Sequence, residues 1–149
     1  MATRKQVVDE ARTWMGTRFH HQARIKGTGV DCLNLVIGVA ETLELVPGGF
    51  KWDDYPEYHG YGKSPNGTML IAGCDRFMDR ISYDDLLPGD VLVFRFAEEP
   101  QHFAIVTQIG SPVYMLHSFA HMRRVVEHSM DKVWHERIVG CYRFRGITE

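Results

Sequence analysis

The sequence predicts an α+β domain in which N-terminal helices pack on an antiparallel β-sheet, and three observations predict it. Apolar residues recur at helical spacing through the first half of the chain. After the turn signal Pro88-Gly89-Asp90 the pattern changes to short runs rich in Val, Ile, Phe and Tyr. Helices followed by strands, over the 149 residues typical of one domain, favour a segregated two-layer architecture with residues 1–149 as a single unit.

The helical part divides in three. Val7, Val8, Ala11, Trp14 and Met15 share a face, giving a helix over Thr3–Met15 with Thr3 as its cap. Residues 16–30 hold three glycines and read as loop. Cys32, Leu35, Val36, Val39 and Leu43 keep the 3.6-residue period, so Cys32–Leu43 is a second helix with Asp31 as N-cap. Residues 50–65 form a loop rich in aromatic and acidic side chains, including Trp52, Tyr55, Tyr58 and Tyr61. Leu70, Cys74, Phe77, Met78 and Ile81 mark a third helix. Strands follow at Val91–Phe96, His102–Ile109, Val113–Phe119, Arg123–Glu127 and Ile138–Phe144.

Composition removes several functional classes. With 44% hydrophobic and 24% charged residues the chain is neither disordered, collagen-like nor coiled coil. A net charge of −2 speaks against a nucleic-acid partner. The longest apolar run, Leu35–Ala40, is far too short to span a membrane, and no membrane partner is expected. Met1–Glu10 is polar and reads as a helix start rather than a secretory leader. Three cysteines do not make a disulfide framework.

Those cysteines are not equivalent. Cys74 lies on the apolar stripe of the third helix and Cys141 within the last strand, where a free cysteine acts as a small hydrophobe. Cys32 falls in the first turn of a helix, where unpaired N–H groups and the helix dipole favour a thiolate and can hold an oxyanion. The alternative is a buried cysteine that merely begins the apolar stripe. A nucleophilic cysteine needs a base. Of eight histidines, His102 and His117 lie in apolar strands, whereas His121, His128 and His135 sit in polar surroundings and read as surface residues. A two-residue turn at Gly110-Ser111 pairs Ile109 with Pro112 and Ala104 with His117, which puts His102 and His117 on one face as diagonal neighbours. In that arrangement His102 takes the proton from Cys32 and His117 orients its ring. Alternatively, both histidines bond only to backbone carbonyls. Zinc is disfavoured as an alternative, because the chain has no close-spaced ligand pair; no metal and no cofactor are expected.

A cysteine at a helix start followed by a strand histidine and a further polar residue is a papain-like order, and four blocks make the resemblance specific. Gly29-Val30-Asp31-Cys32-Leu33-Asn34-Leu35-Val36 resembles the nucleophile motif of the NlpC-type cell-wall cysteine peptidases. Pro88-Gly89-Asp90-Val91-Leu92-Val93-Phe94, Gln101-His102-Phe103-Ala104-Ile105-Val106 and Met115-Leu116-His117-Ser118 resemble the strand before their catalytic histidine, the histidine strand and the strand of their third polar residue. Trp14-Met15-Gly16-Thr17-Arg18-Phe19-His20-His21-Gln22 is similar to the short members encoded with phage tails and gene transfer agents.

The resemblance implies a papain-like, NlpC-type fold and a cysteine endopeptidase acting on peptidoglycan stem peptides. Its catalytic residues would be Cys32, His102 and His117. It also implies partners in the tail tip or baseplate of a phage-like particle, with the protein made in the cytoplasm and carried in that particle. Substrate-binding positions follow: Asp31 for the free amine of a stem peptide, Phe19 where many members carry tyrosine, and His20, His21 or Gln22 in place of that hydroxyl. Leu33-Asn34 departs from the Ser-Gly that many members have after the nucleophile. Departures of this kind keep three other readings open: an inactive structural baseplate protein of the same fold, an enzyme acting on a different amide, and a cytosolic peptidase recycling murein peptides. For docking on a particle, the candidate surfaces are the 50–61 loop and the C-terminal strand with Arg143 and Arg145.

Overall fold

The computed structural model describes residues 2–51, 54, 67–96 and 99–149. Its helices are α1 (Arg4–Arg12), α2 (Cys32–Thr42), α3 (Gly67–Phe77) and α4 (Lys132–Glu136). Its strands are β1 (Ala2–Thr3), β2 (Arg24–Ile25), β3 (Gly29–Val30), β4 (Met78–Ile81), β5 (Val91–Phe96), β6 (Glu99–Gln108), β7 (Tyr114–Phe119), β8 (Arg124–Ser129), β9 (Ile138–Phe144) and β10 (Ile147–Thr148). The antiparallel sheet has six strands in the order β4-β9-β5-β6-β7-β8. The expected α+β architecture is therefore the observed one. Trp52, Tyr55, Tyr58 and Tyr61 of the aromatic loop lie outside the described residues.

Side chains alternate across the sheet and so build two cores. Val91, Val93, Phe103, Ile105 and Leu116 face α1, α2 and α3. Leu92, Phe94, Ala104, Val106, Met115 and Cys141 face the other way, where Trp134 of α4 covers them. The helices start where their caps demand. The Thr3 hydroxyl accepts from the Gln6 N–H while the Gln6 side chain accepts from the Thr3 N–H, a reciprocal capping box. Helix α1 lies against α2, with the Trp14 ring seated on Gly38. A Cβ at Gly38 would come within 2.6 Å of that ring, so close contact here requires glycine.

Five short strands escape the sequence pattern. The stretch read as loop before Cys32 contains the β2–β3 hairpin. Strands β1 and β10 pair in parallel and bring the two ends of the described chain together. The third helix ends at Phe77; Met78 and Ile81, expected on its stripe, belong to β4 and pair with Phe144 and Cys141 of β9. Their three-residue spacing imitates a helical period. The chain turns at this point because the Arg145 guanidinium collects the carbonyls of Asp75, Arg76 and Met78, the groups that a helix C-terminus leaves open.

Asp90, fully buried, ties the turn before β5 to both ends of the chain. It accepts from Arg4 at 3.1 Å, from Arg143 at 3.0 and 2.9 Å, and from the Leu87 N–H at 2.9 Å. Arg143 and Arg145, named above as a docking candidate, thus have their guanidinium groups engaged within the fold.

Candidate active site

The register of the β6–β7 hairpin creates the site. Ile105 pairs with Leu116 and Val106 with Met115, the register expected for the histidine-bearing half. Nearer the turn it shifts, with Gln108 opposite Tyr114, so the expected Ile109–Pro112 pair does not form. In the other direction the registered pairs end at Ile105 and Leu116, while β7 continues to pair with β8 as far as Phe119 and Arg124. The registered pairing thus stops short of the expected Ala104–His117 pair. A cleft of about 380 Å³ is lined among others by Phe19, Asp31, Cys32, Gln101, His102 and Phe119.

Cys32 enters this cleft from the helix side. It is the first residue of α2, half-buried, and its thiol donates to the Gln101 carbonyl at 3.7 Å. The Asp31 carboxylate caps α2 by accepting from the Asn34 N–H at 2.8 Å, and its other oxygen accepts from the Gln22 N–H at 2.7 Å. Burial works against the thiolate expected from this position. Burial pushes the Cys32 thiol up to about 12 and the charge of Asp31 adds to the rise. Backbone hydrogen bonding at Phe103, Leu33 and Cys32 itself opposes it. Desolvation outweighs the helix start.

The histidines approach from the other face. His102 on β6 and His117 on β7 are both buried, and His102 Nε2 lies 2.6 Å from His117 Nδ1. The file continues: His117 Nε2 lies 2.7 Å from Nε2 of His128 on β8, and His128 Nδ1 lies 2.8 Å from the Ser129 carbonyl. Burial lowers His102 to about 3 and His117 to about 2, so both rings are neutral; the neighbouring histidines act in the same direction. An aromatic wall holds them. Phe96 stacks on His102 at 5.3 Å and Phe119 on His117 at 5.3 Å, while Trp134 lies 5.5, 5.2 and 6.4 Å from the rings of His102, His117 and His128.

The structure thus brings His102 together with His117 and sets Cys32 and His102 in one cleft. Phe19 and Asp31 line that cleft. His20 is exposed, its Nδ1 on the His21 carbonyl; His21 reaches the cleft lining, whereas neither His20 nor Gln22 is part of it. Gln22 instead has a left-handed backbone (φ 64°), and its N–H holds Asp31. His128 and Trp134 are the residues that sequence reasoning missed. The available signal for His128 was its parity: counted from buried Val125, it lies on the face opposite the helices, as His102 and His117 do. Cys74 and Cys141 are buried in the core as expected. Among the described residues no group of three or more His, Cys, Asp or Glu is placed to hold a metal ion. No described helix is long and apolar enough to cross a membrane.

This arrangement of helices on a six-stranded antiparallel sheet is the fold of the NlpC/P60 domains. The NlpC/P60 domain of the peptidoglycan hydrolase SagA superposes with a TM-score of 0.63 at 17% identity, covering 96% of this chain and 100% of that one. The peptidoglycan hydrolase RipB from Mycobacterium tuberculosis gives 0.62 at 14% identity, covering 94% of this chain and 63% of RipB. A Staphylococcus aureus protein of the NLP/P60 family, described as similar to a lipoprotein, gives 0.62 at 15% identity over 98% of this chain. The chain spans 42% of the length of that protein. No protein-family model matches the sequence, and no curated protein matches it.

Proposed function

We propose that this chain is a cysteine endopeptidase that hydrolyses peptide bonds in the stem peptides of peptidoglycan. One observation carries the reading: Cys32, at the start of a helix, shares a cleft with a buried histidine whose Nε2 is held by a second histidine. The fold shared with the hydrolases SagA and RipB supports the substrate class.

The reaction is acyl transfer. The Cys32 proton passes to His102 as sulfur attacks the peptide carbonyl; the thiol need not be ionised beforehand, because the transfer accompanies attack. The N–H groups of Cys32 and Leu33, at the open end of α2, face the developing oxyanion. The His102 imidazolium then protonates the leaving amine and, once neutral again, activates the water that releases the acyl group. Asp31 keeps lone pairs beyond its two backbone bonds and can accept the free amine of a stem peptide. Phe19 supplies an apolar wall.

Digestion of purified peptidoglycan, with products identified by mass, tests this. Cys32→Ala should abolish product formation and leave the thermal melt unchanged; equal cleavage by the variant ends the cysteine-peptidase reading. We further propose delivery in a phage-like tail tip, on the resemblance of residues 14–22 to the short tail-associated members. Proteomics of purified particles tests that setting, and absence of the chain from them favours a cytosolic recycling role.

A further inference from the structure

We propose that His128 is a positioning residue that fixes, through His117, which nitrogen of His102 acts as the base. The proposal rests on the reading of Cys32 and His102 as the reacting pair. The three rings sit on three adjacent strands and on one face of the sheet, and the file ends on a backbone carbonyl.

That carbonyl assigns every proton. A carbonyl oxygen only accepts, so His128 Nδ1 carries hydrogen toward Ser129. Neutral His128 then has its lone pair on Nε2. The 2.7 Å contact therefore requires hydrogen on His117 Nε2, which leaves the lone pair of neutral His117 on Nδ1. The 2.6 Å contact in turn requires hydrogen on His102 Nε2. The nitrogen left without a proton is His102 Nδ1. Without His128, His117 can carry its hydrogen on either nitrogen. With hydrogen on His117 Nδ1, His102 must accept at Nε2 and hold its own hydrogen on Nδ1, which removes the base.

Two measurements on the full chain test the proposal. The first is 15N NMR of the histidine rings, which reads tautomers whether or not the protein is active. His102 and His117 should both appear as Nε2–H tautomers in the wild type. His117 should become a mixture in His128→Ala. The second is steady-state cleavage of a stem peptide. His128→Ala should lower kcat about ten- to a hundredfold with KM little changed, the scale on which metal-bound histidines respond to loss of their hydrogen-bond partner. His128→Gln, whose amide oxygen can accept from His117, should restore most of the rate. An Nδ1–H tautomer at His117 in the wild type, or a His128→Ala enzyme with unchanged kcat and tautomers, overturns the proposal. A wild type with the expected tautomers but no cleavage overturns the peptidase reading and leaves the tautomer assignment standing.

Discussion

The Cys32 thiol donates to the carbonyl of Gln101, the residue immediately before His102. The sulfur is therefore held against the backbone of the strand that carries His102, in a site where burial raises the thiol. In the proposed reaction the proton leaves sulfur only as the peptide carbonyl is attacked.

Alkylation reports on this state. Iodoacetamide should reach Cys32 before Cys74 or Cys141, because Cys32 is half-buried and the other two are buried. Its rate at pH 7 should nonetheless be slow and should climb steadily across the alkaline range, since a thiol raised to about 12 gains thiolate as pH rises. Peptide mapping after a timed pulse measures this. A rate already at its plateau at pH 7 would show a depressed thiol and contradict the electrostatics of the site.

His117 separates positioning from packing. Fully buried and stacked on Phe119, its ring bridges His102 and His128. His117→Ala should lower kcat more than it lowers stability, whereas His117→Asn, with an amide oxygen able to accept from His102, should retain part of the rate. Equal loss in both variants would count against the orienting role.

Much of this was legible in the sequence, and the failures have physical causes. Strands β5 and β9 fall on the residues expected of them, because Val91–Phe96 and Ile138–Phe144 are bounded by clear turn or polar segments. The His102–His117 contact was legible because hairpin geometry links residues close in sequence. His128 was not. A turn through Ala120–Met122, with Arg123 in the left-handed region (φ 61°), joins β7 to β8, and its composition does not announce the register. Helix α4 has five residues, too few to display a period, yet its Trp134 roofs the histidine file. The sequence pattern also places Cys32 at its helix but contains nothing of the desolvation that decides its charge state.

The buried histidines make stability sensitive to acid. Their folded-state values are depressed, about 3 for His102 and about 2 for His117, below the ordinary 6.5. Below pH 6.5 the unfolded chain binds protons that the folded chain does not. Stability is thus present above pH 6.5 and is lost as pH falls toward 3, at up to about 1.4 kcal/mol per pH unit for each ring. Urea unfolding between pH 7 and pH 4 measures the slope. His117→Asn removes one of the two groups and should flatten it; an unchanged slope would mean that His117 is not held neutral.

Asp90 should be the most sensitive structural position outside the cleft. Its carboxylate is fully buried and carries two guanidinium groups, of which Arg4 is itself buried. Asp90→Ala leaves both cations facing a cavity, together with an unpaired Leu87 N–H. Removing one partner from a buried ion pair typically costs about 3–5 kcal/mol, because the surviving charge remains desolvated. Asp90→Asn keeps an oxygen for Leu87 and one guanidinium and should cost less. The loss should appear as a lower urea midpoint with an unchanged slope, since the surface exposed on unfolding stays the same. The turn at Gly89 (φ +91°), whose N–H donates to the Val106 carbonyl while the Asp90 carbonyl accepts from the Val106 N–H, is anchored by the same carboxylate. Amide exchange at Gly89 and Val106 should therefore accelerate in Asp90→Ala before global unfolding. A midpoint shift worth less than about 1 kcal/mol, the value of an exposed ion pair, would show that the two arginines reach solvent once the carboxylate is gone and that the network does not hold the turn.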